Sequence, residues 1–128
     1  MEGLRNTAAL IGRILISVIF LWSGFGKVSN FGGTVGYITS VGLPVPEVAA
    51  VIAIIVELLG GLCLLVGFQA RLAALAIAIF TIAAGFSFHT NFGDMTQMIM
   101  FFKNLAIAGG ALQIFAFGPG AFSVDKGR

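Results

Sequence analysis

Four long apolar runs dominate the hydrophobic pattern of the chain, and they predict helices at about 7–26, 48–68, 72–88 and 97–117. Each run has roughly the 17–25 residues that a helix needs to cross the hydrocarbon core of a bilayer. Apolar and polar residues do not alternate along the runs, as they would in the strands of a membrane β-barrel. We therefore expect an all-α membrane protein, a four-transmembrane-helix bundle forming a single transmembrane domain over residues 1–128.

The connecting segments predict how the spans follow one another. The segment 27–47 is rich in glycine, and its part 33–41 is predicted as a short interfacial helix or a loop. Pro46 followed by Glu47 suits the first turn of the next helix. The short segment 67–71 predicts that the second and third spans form an antiparallel hairpin.

Short motifs of the first half of the chain recur in the second half at a spacing of 61 residues: Gly24-Phe25 returns as Gly85-Phe86, and Asn30-Phe31-Gly32 returns as Asn91-Phe92-Gly93. This repeat predicts two similar hairpins related by an axis along the membrane normal. A chain rich in glycine and phenylalanine also produces such matches by chance, so the sequence leaves both readings open.

The composition agrees with a membrane location. Hydrophobic residues make up 59% of the chain and charged residues 9%, whereas soluble domains carry about 25% charged residues. A soluble chain of 128 residues has too small an interior to bury this much apolar surface. The net charge of +2 comes without a basic run, so the expected partner is the lipid bilayer and not a nucleic acid.

Cysteine and histidine usage argues against intrinsic redox or metal centres. Cys63 is the single cysteine, which excludes a disulfide within the chain and a relay between paired thiols. His89 is the single histidine and has no second ligand at a usual metal spacing, so we expect neither a metal site nor haem. No motif for an intrinsic cofactor is present.

The distribution of lysine and arginine predicts the orientation. One side of the bundle would hold most of these residues: Arg5, Arg13, Arg71, Lys126 and Arg128. The other side would hold only Lys27 and Lys103. By the positive-inside rule, both termini are then cytoplasmic. The N-terminal run is predicted to be the first membrane helix and not a cleaved signal.

Glu57 lies about halfway along the second apolar run, where its side chain cannot reach the aqueous phase. Its neighbours at helical spacing include Ala53, Gly60 and Gly61, and such small residues let another helix approach closely. We therefore expect Glu57 to point into the bundle, either protonated or paired with a cation. Lys103 and Arg13 are the two candidate partners, and such a structural ion pair could serve packing alone.

Five polar residues are candidates for one ligand-binding site in the outer half of the bundle: Lys27, Glu57, His89, Lys103 and Asn104. Ionisable groups inside a membrane are costly and usually functional. Two ammonium groups, an imidazole and an amide against one carboxylate form a site rich in donors, which suits a quinone head group or a small oxyanion. The alternatives are that Lys27 is an interfacial anchor and that His89 is an ordinary interfacial histidine.

The sequence resembles the DoxX family over nearly its whole length. The residues that carry the resemblance are Arg13, Phe20, Ser23-Gly24 and Lys27, then Gly42-Leu-Pro, Glu57-Leu-Leu-Gly-Gly, Gly67-Phe-Gln-Ala-Arg71, His89, Lys103-Asn104 and Gly118-Pro-Gly. The resemblance implies a small four-helix protein of the bacterial inner membrane. Some members of that family are subunits of a thiosulfate:quinone oxidoreductase, and others are linked to oxidative-stress and thiol systems.

Three functions follow as hypotheses. The first is a redox-associated subunit, with an outward-facing pocket for a quinone or small oxyanion and a membrane or periplasmic redox partner. The second is a non-catalytic assembly or scaffold protein in an oxidative-stress or thiol-related complex. The third, a transporter or channel, is favoured least. The sequence identifies no catalytic residue, and it leaves open whether the protein is an enzyme and whether it forms a homo-oligomer.

Overall fold

The computed structural model describes residues 1–126, and within them the chain forms five α-helices. These are α1 (Glu2–Ser29), α2 (Phe31–Ser40), α3 (Pro46–Val66), α4 (Ala70–Phe88) and α5 (Met95–Phe117). Four of them, α1, α3, α4 and α5, are long and apolar enough to cross a membrane. This confirms the predicted four-helix membrane bundle. Gly127 and Arg128, the latter used in the charge comparison, lie outside the described residues.

The helices extend past the apolar runs that predicted them. The 28 residues of α1 span about 42 Å, which exceeds the hydrocarbon thickness of about 30 Å. The helix is therefore long enough for its first turn to lie outside the hydrocarbon. This turn carries the exposed ion pair between Arg5 and Glu2. The segment left open as a helix or a loop is helical, and the Asn30 side chain caps it by accepting a hydrogen bond from the N–H of Gly33.

Two pairs of helices pack most extensively, α1 with α3 and α4 with α5, while α1 and α5 touch only slightly. Glycines permit the close approach in both pairs. A Cβ atom on Gly24 would lie 2.7 Å from Leu58 Cγ of α3, and one on Gly85 would lie 3.4 Å from Asn104 Cβ of α5. Gly24 and Gly85 are also corresponding positions of the sequence repeat, so each predicted hairpin presents a glycine from its first helix to its second.

The packed core occupies one half of the bundle. We name the two ends by their contents: the terminal end holds both ends of the described chain and the α3–α4 turn, and the α2 end holds α2 and residues 89–94. The core is formed by Leu64, Ala74, Ile77, Ala108 and Ala111 with their neighbours, all toward the terminal end. Toward the α2 end the helices enclose a cavity instead.

The residues after α5 close the terminal end. They pair with the α3–α4 turn, because Val124 N–H donates to Val66 O and Asp125 N–H donates to Gly67 O, both at 3.0 Å. The Asp125 carboxylate then accepts from the N–H groups of Gln69 at 3.0 Å and Ala70 at 2.9 Å. These are free donors at the start of α4, so Asp125 caps that helix from outside it.

Arg13 fixes the C-terminal segment to the helices of the terminal end. Its side chain comes from α1 and is only 1% exposed. The guanidinium donates to Pro119 O at 2.9 Å, to Leu64 O at 2.8 Å and to Leu65 O at 3.1 Å, and also to Phe122 O. Arg13 thus links the first helix, the end of α3 and the C-terminal segment through carbonyl groups that no helix satisfies.

Candidate functional site

A cavity of about 710 Å³ lies in the half of the bundle toward α2. All four spanning helices contribute to its walls, and α2 lines it through Gly33, Thr34, Tyr37 and Ile38. Most of the lining is apolar. The polar side chains of the cavity therefore lie among alanine, isoleucine and phenylalanine residues.

The five side chains predicted from the sequence all line this cavity: Lys27 from α1, Glu57 from α3, His89 after α4, and Lys103 and Asn104 from α5. The structure therefore brings together residues that are far apart in the sequence. Their common location is a geometric fact; that they bind a ligand remains a prediction.

Lys27 and Glu57 form an ion pair across the α1–α3 contact. Lys27 Nζ lies 2.7 Å from Glu57 Oε1 and also donates to Ser23 Oγ at 2.6 Å. The Glu57 side chain is 4% exposed and that of Lys27 28%. The carboxylate is thus held within the bundle by a single cation, with no other hydrogen-bond donor to Oε1 among residues 1–126.

The predicted partners of Glu57 were wrong, because the structure places Lys27 there and neither Lys103 nor Arg13. Side chains on a helix lean toward its N-terminus. Lys27, near the C-terminal end of α1, therefore directs its ammonium group inward to Ser23 and Glu57 and does not serve as an interfacial anchor. Arg13 lies toward the terminal end, where four carbonyls occupy it.

Lys103 is the cation of the cavity that has no counter-charge. It is half-buried and makes no hydrogen bond or ion pair with residues 1–126. It stands on α5, which packs against α4 and not against α3, and this placement keeps it away from Glu57. Because Lys27 and Glu57 neutralise each other, the cavity retains the charge of Lys103.

His89 follows the last turn of α4, and its Nδ1 lies 3.2 Å from Gln97 Oε1. In the neutral tautomer that donates to this oxygen, Nε2 is left as an acceptor. Nearby, the rings of Tyr37 and Phe88 stack with centroids 5.4 Å apart. This stack joins α2 to the end of α4 beside the cavity.

Thr81 of α4 is a polar residue of the cavity that the sequence analysis missed. It is 3% exposed, and its hydroxyl has no hydrogen-bond partner among residues 1–126. Asn104 Nδ2 donates to the backbone carbonyl of Thr81 at 3.1 Å and makes no hydrogen bond with its hydroxyl. The available signal was a hydroxyl in the middle of the third apolar run, one turn before Gly85 and one turn after Ile77.

Within residues 1–126, no three His, Cys, Asp or Glu side chains are close enough to hold a metal ion. Cys63 is half-buried and has a free thiol. The polar groups of the cavity include the Lys103 ammonium group, the Lys27–Glu57 ion pair, the His89 imidazole, the Asn104 amide and the Thr81 hydroxyl.

Comparison with known proteins decides the family. The DoxX family model matches residues 8–90, which include most of α1 and all of α2 to α4, and with them Lys27, Glu57 and His89. The chain belongs to the DoxX family. Lys103 and Asn104 lie beyond the residues matched by the model.

Two relatives from Escherichia coli (strain K12) extend the similarity over almost the whole chain. One, named inner membrane protein YqjF, is 40% identical over 126 residues, covering 98% of this chain and 95% of the relative. The other, named inner membrane protein YphA, is 38% identical over 128 residues, covering 95% of this chain and 91% of the relative. No solved structure matches. With its four apolar spans, this DoxX-family chain is a multi-pass integral protein of the inner membrane.

Proposed function

We propose that this DoxX-family protein is a redox-associated subunit of the inner membrane that binds the head group of a quinone in the cavity. The observation that carries the proposal is Lys103, a half-buried residue that lines an apolar cavity of about 710 Å³ and whose ammonium group has no partner within residues 1–126. An ammonium group at membrane depth is costly unless an acceptor or an anion accompanies it. A carbonyl oxygen of a bound ligand would supply such an acceptor.

The size of the cavity favours a quinone over a bare oxyanion. Sites of about 300–1,000 Å³ typically bind ligands of drug size. An ion of a few atoms would leave the apolar walls uncovered, whereas a substituted ring and the start of its isoprenoid tail would contact them. A small oxyanion remains the second candidate because its charge would neutralise Lys103.

Electron transfer in this proposal requires a partner. The chain supplies no cofactor motif, so a bound quinone would itself be reduced or oxidised by a membrane or periplasmic redox protein. No residue is assigned a catalytic role. The side chains of the cavity bind and orient the head group, and they keep its oxygen atoms out of hydrocarbon.

We place both termini in the cytoplasm and the α2 end toward the periplasm. Arg5, Arg71 and Lys126 lie at the terminal end, whereas the lysines of the opposite half, Lys27 and Lys103, line the cavity. The excess of cations at the terminal end is the cytoplasmic signature. In this orientation a periplasmic partner would approach the cavity from the side of α2.

Binding of decylubiquinone to the purified protein tests the proposal. We expect Lys103→Met, which keeps most of the unbranched side chain and removes the charge, to weaken binding about tenfold, equivalent to roughly 1.4 kcal/mol. Arg5→Gln is the matched control, because it removes an exposed cation at the opposite end. Thiosulfate and sulfite, added as competitors, separate the oxyanion candidate from the quinone.

The scaffold hypothesis makes the opposite prediction for the same measurements. If the polar groups serve packing alone, the wild-type protein does not bind decylubiquinone or either oxyanion. The double variant Lys27→Met/Glu57→Leu would then fold and retain its protein partners. If the wild-type protein binds none of these ligands and the double variant retains its protein partners, the ligand-binding proposal is rejected in favour of the scaffold hypothesis.

A further inference from the structure

Several hydroxyl groups of this protein's helices donate to a carbonyl of the preceding turn, and the buried hydroxyl of Thr81 does not. Ser17 donates to Arg13 O at 2.7 Å, and Thr39 donates to Val35 O at 2.8 Å. Such bonds to the preceding turn are the usual way in which a helix satisfies a serine or threonine. Thr81 makes no bond of this kind and has no other partner within residues 1–126.

The hydroxyl of Thr81 is also cut off from bulk solvent. The residue is 3% exposed, yet it lines the cavity of about 710 Å³. A buried polar atom without a partner costs free energy and is rare in native proteins. Because Thr81 lines the cavity, a molecule bound there is the candidate partner of this hydroxyl.

The position of Thr81 defines the inner part of the cavity. It lies seven residues before Phe88, the last residue of α4, which places it about 10 Å below the α2 end of that helix. The opposite wall, formed by α1 and α3, carries the ammonium group of Lys27 beside Glu57. Hydrogen-bond donors thus stand on both of the packed helix pairs, with apolar residues between them.

We propose that Thr81 Oγ1 is a hydrogen-bond donor to the ligand and that the ligand is a ring with oxygen atoms at two opposite positions. One oxygen faces Thr81 and Lys103 on the wall of α4 and α5, and the other faces the ammonium group of Lys27 on the wall of α1 and α3. A ligand with a single terminal acidic group would satisfy the lysines and leave Thr81 unpaired. This inference rests on the proposed quinone site and adds a specificity-determining residue to it.

The test compares two substitutions of Thr81 that separate its hydroxyl from its shape. Thr81→Val keeps the size of the side chain and removes the hydroxyl, whereas Thr81→Ser keeps the hydroxyl and removes a methyl group. Thr39→Val is the matched control, because Thr39 is an exposed α2 residue outside the cavity whose hydroxyl bonds to its own helix. The probe is decylubiquinone, and the readouts are its dissociation constant and the infrared stretching bands of its two carbonyl groups.

We expect Thr81→Val to weaken binding about tenfold, while Thr81→Ser and Thr39→Val stay within twofold of the wild type. One carbonyl band should shift to lower frequency on binding to the wild-type and Ser proteins, and this shift should be lost in the Val protein. Unchanged binding by Thr81→Val, or equal weakening by Val and Ser, would overturn the inference and leave the quinone site intact. Absence of binding in the wild-type protein would instead reject the proposed function, and this inference with it.

Discussion

The ammonium nitrogen of Lys27 and Oε1 of Glu57 lie 2.7 Å apart at the contact between α1 and α3. The pair lies on the wall of the cavity, and Ser23 supports the lysine from the preceding turn. The ion pair therefore belongs both to helix packing and to the candidate site. Variants that remove one partner of the ion pair should therefore lower the stability of the protein, whether or not they also change ligand binding.

Glu57→Leu is expected to destabilise the bundle because it leaves the Lys27 ammonium without a counter-charge. Breaking a fully buried pair typically costs about 3–5 kcal/mol, and the partial exposure of Lys27 reduces the expected loss to about 1–3 kcal/mol. The double variant Lys27→Met/Glu57→Leu should recover most of this loss. Unfolding in a denaturing detergent measures both, and Glu2→Gln, at an exposed pair, is the control. Equal stability of the single and double variants would contradict this account.

Gly24→Ala is expected to separate α1 from α3. The added Cβ atom would lie 2.7 Å from Leu58 Cγ, and overpacking of this kind costs about 1–3 kcal/mol. Gly12→Ala on the same helix is the matched control, because a Cβ atom there meets nothing within 4 Å and alanine favours the helix. The free energy of unfolding should fall for the first variant and stay equal or rise for the second. A stabilised Gly24→Ala protein would show that the close contact is not required.

Arg13→Lys is expected to loosen the C-terminal segment although it retains the charge. Lysine offers three donors from a single nitrogen and cannot reproduce the planar fork that reaches four carbonyls. We expect a loss of about 2 kcal/mol, since buried carbonyls are left unpaired. Limited proteolysis should then cleave residues 118–126 sooner than in the wild type, whereas Arg5→Lys should leave the cleavage rate unchanged. Identical cleavage of the two variants would argue against the role of Arg13 in holding this segment.

The proposed orientation predicts which introduced cysteines a membrane-impermeant maleimide can label from the periplasm. In a Cys63→Ser background, Thr39→Cys on α2 should react in spheroplasts, and Lys126→Cys should react only after the membrane is permeabilised. Both positions are exposed, so the difference reports on sidedness and not on burial. The reverse pattern would invert the topology and turn the cavity toward the cytoplasm.

The fold, and the location of five polar residues around one cavity, were predictable from the sequence for physical reasons. The hydrocarbon thickness dictates the length of an apolar run, so the four spans could be located without coordinates. Ionisable side chains avoid lipid, so the sequence predicted that Glu57 points into the bundle, whereas for Lys27 it left the role of an interfacial anchor open. These arguments depend on residue type and depth alone.

The pairing of these groups was not predictable in the same way. Lys103 and Arg13 lie at suitable positions along their helices to pair with Glu57. The rotation of each helix about its axis and the direction of each side chain decide which cation forms the pair. The sequence shows the Thr81 hydroxyl within the third apolar run, but it does not show that this hydroxyl lacks a partner, because threonines in helices ordinarily bond to the preceding turn. Only the coordinates reveal that this hydroxyl does not.

The anchoring of Arg13 has a consequence for biosynthesis. Two of the carbonyls that bind its guanidinium belong to Pro119 and Phe122, which leave the ribosome after all four spans. During insertion the first span thus carries an arginine whose final acceptors have not yet been translated. A chain that stops before Pro119 would therefore leave the Arg13 guanidinium without two of its carbonyl acceptors.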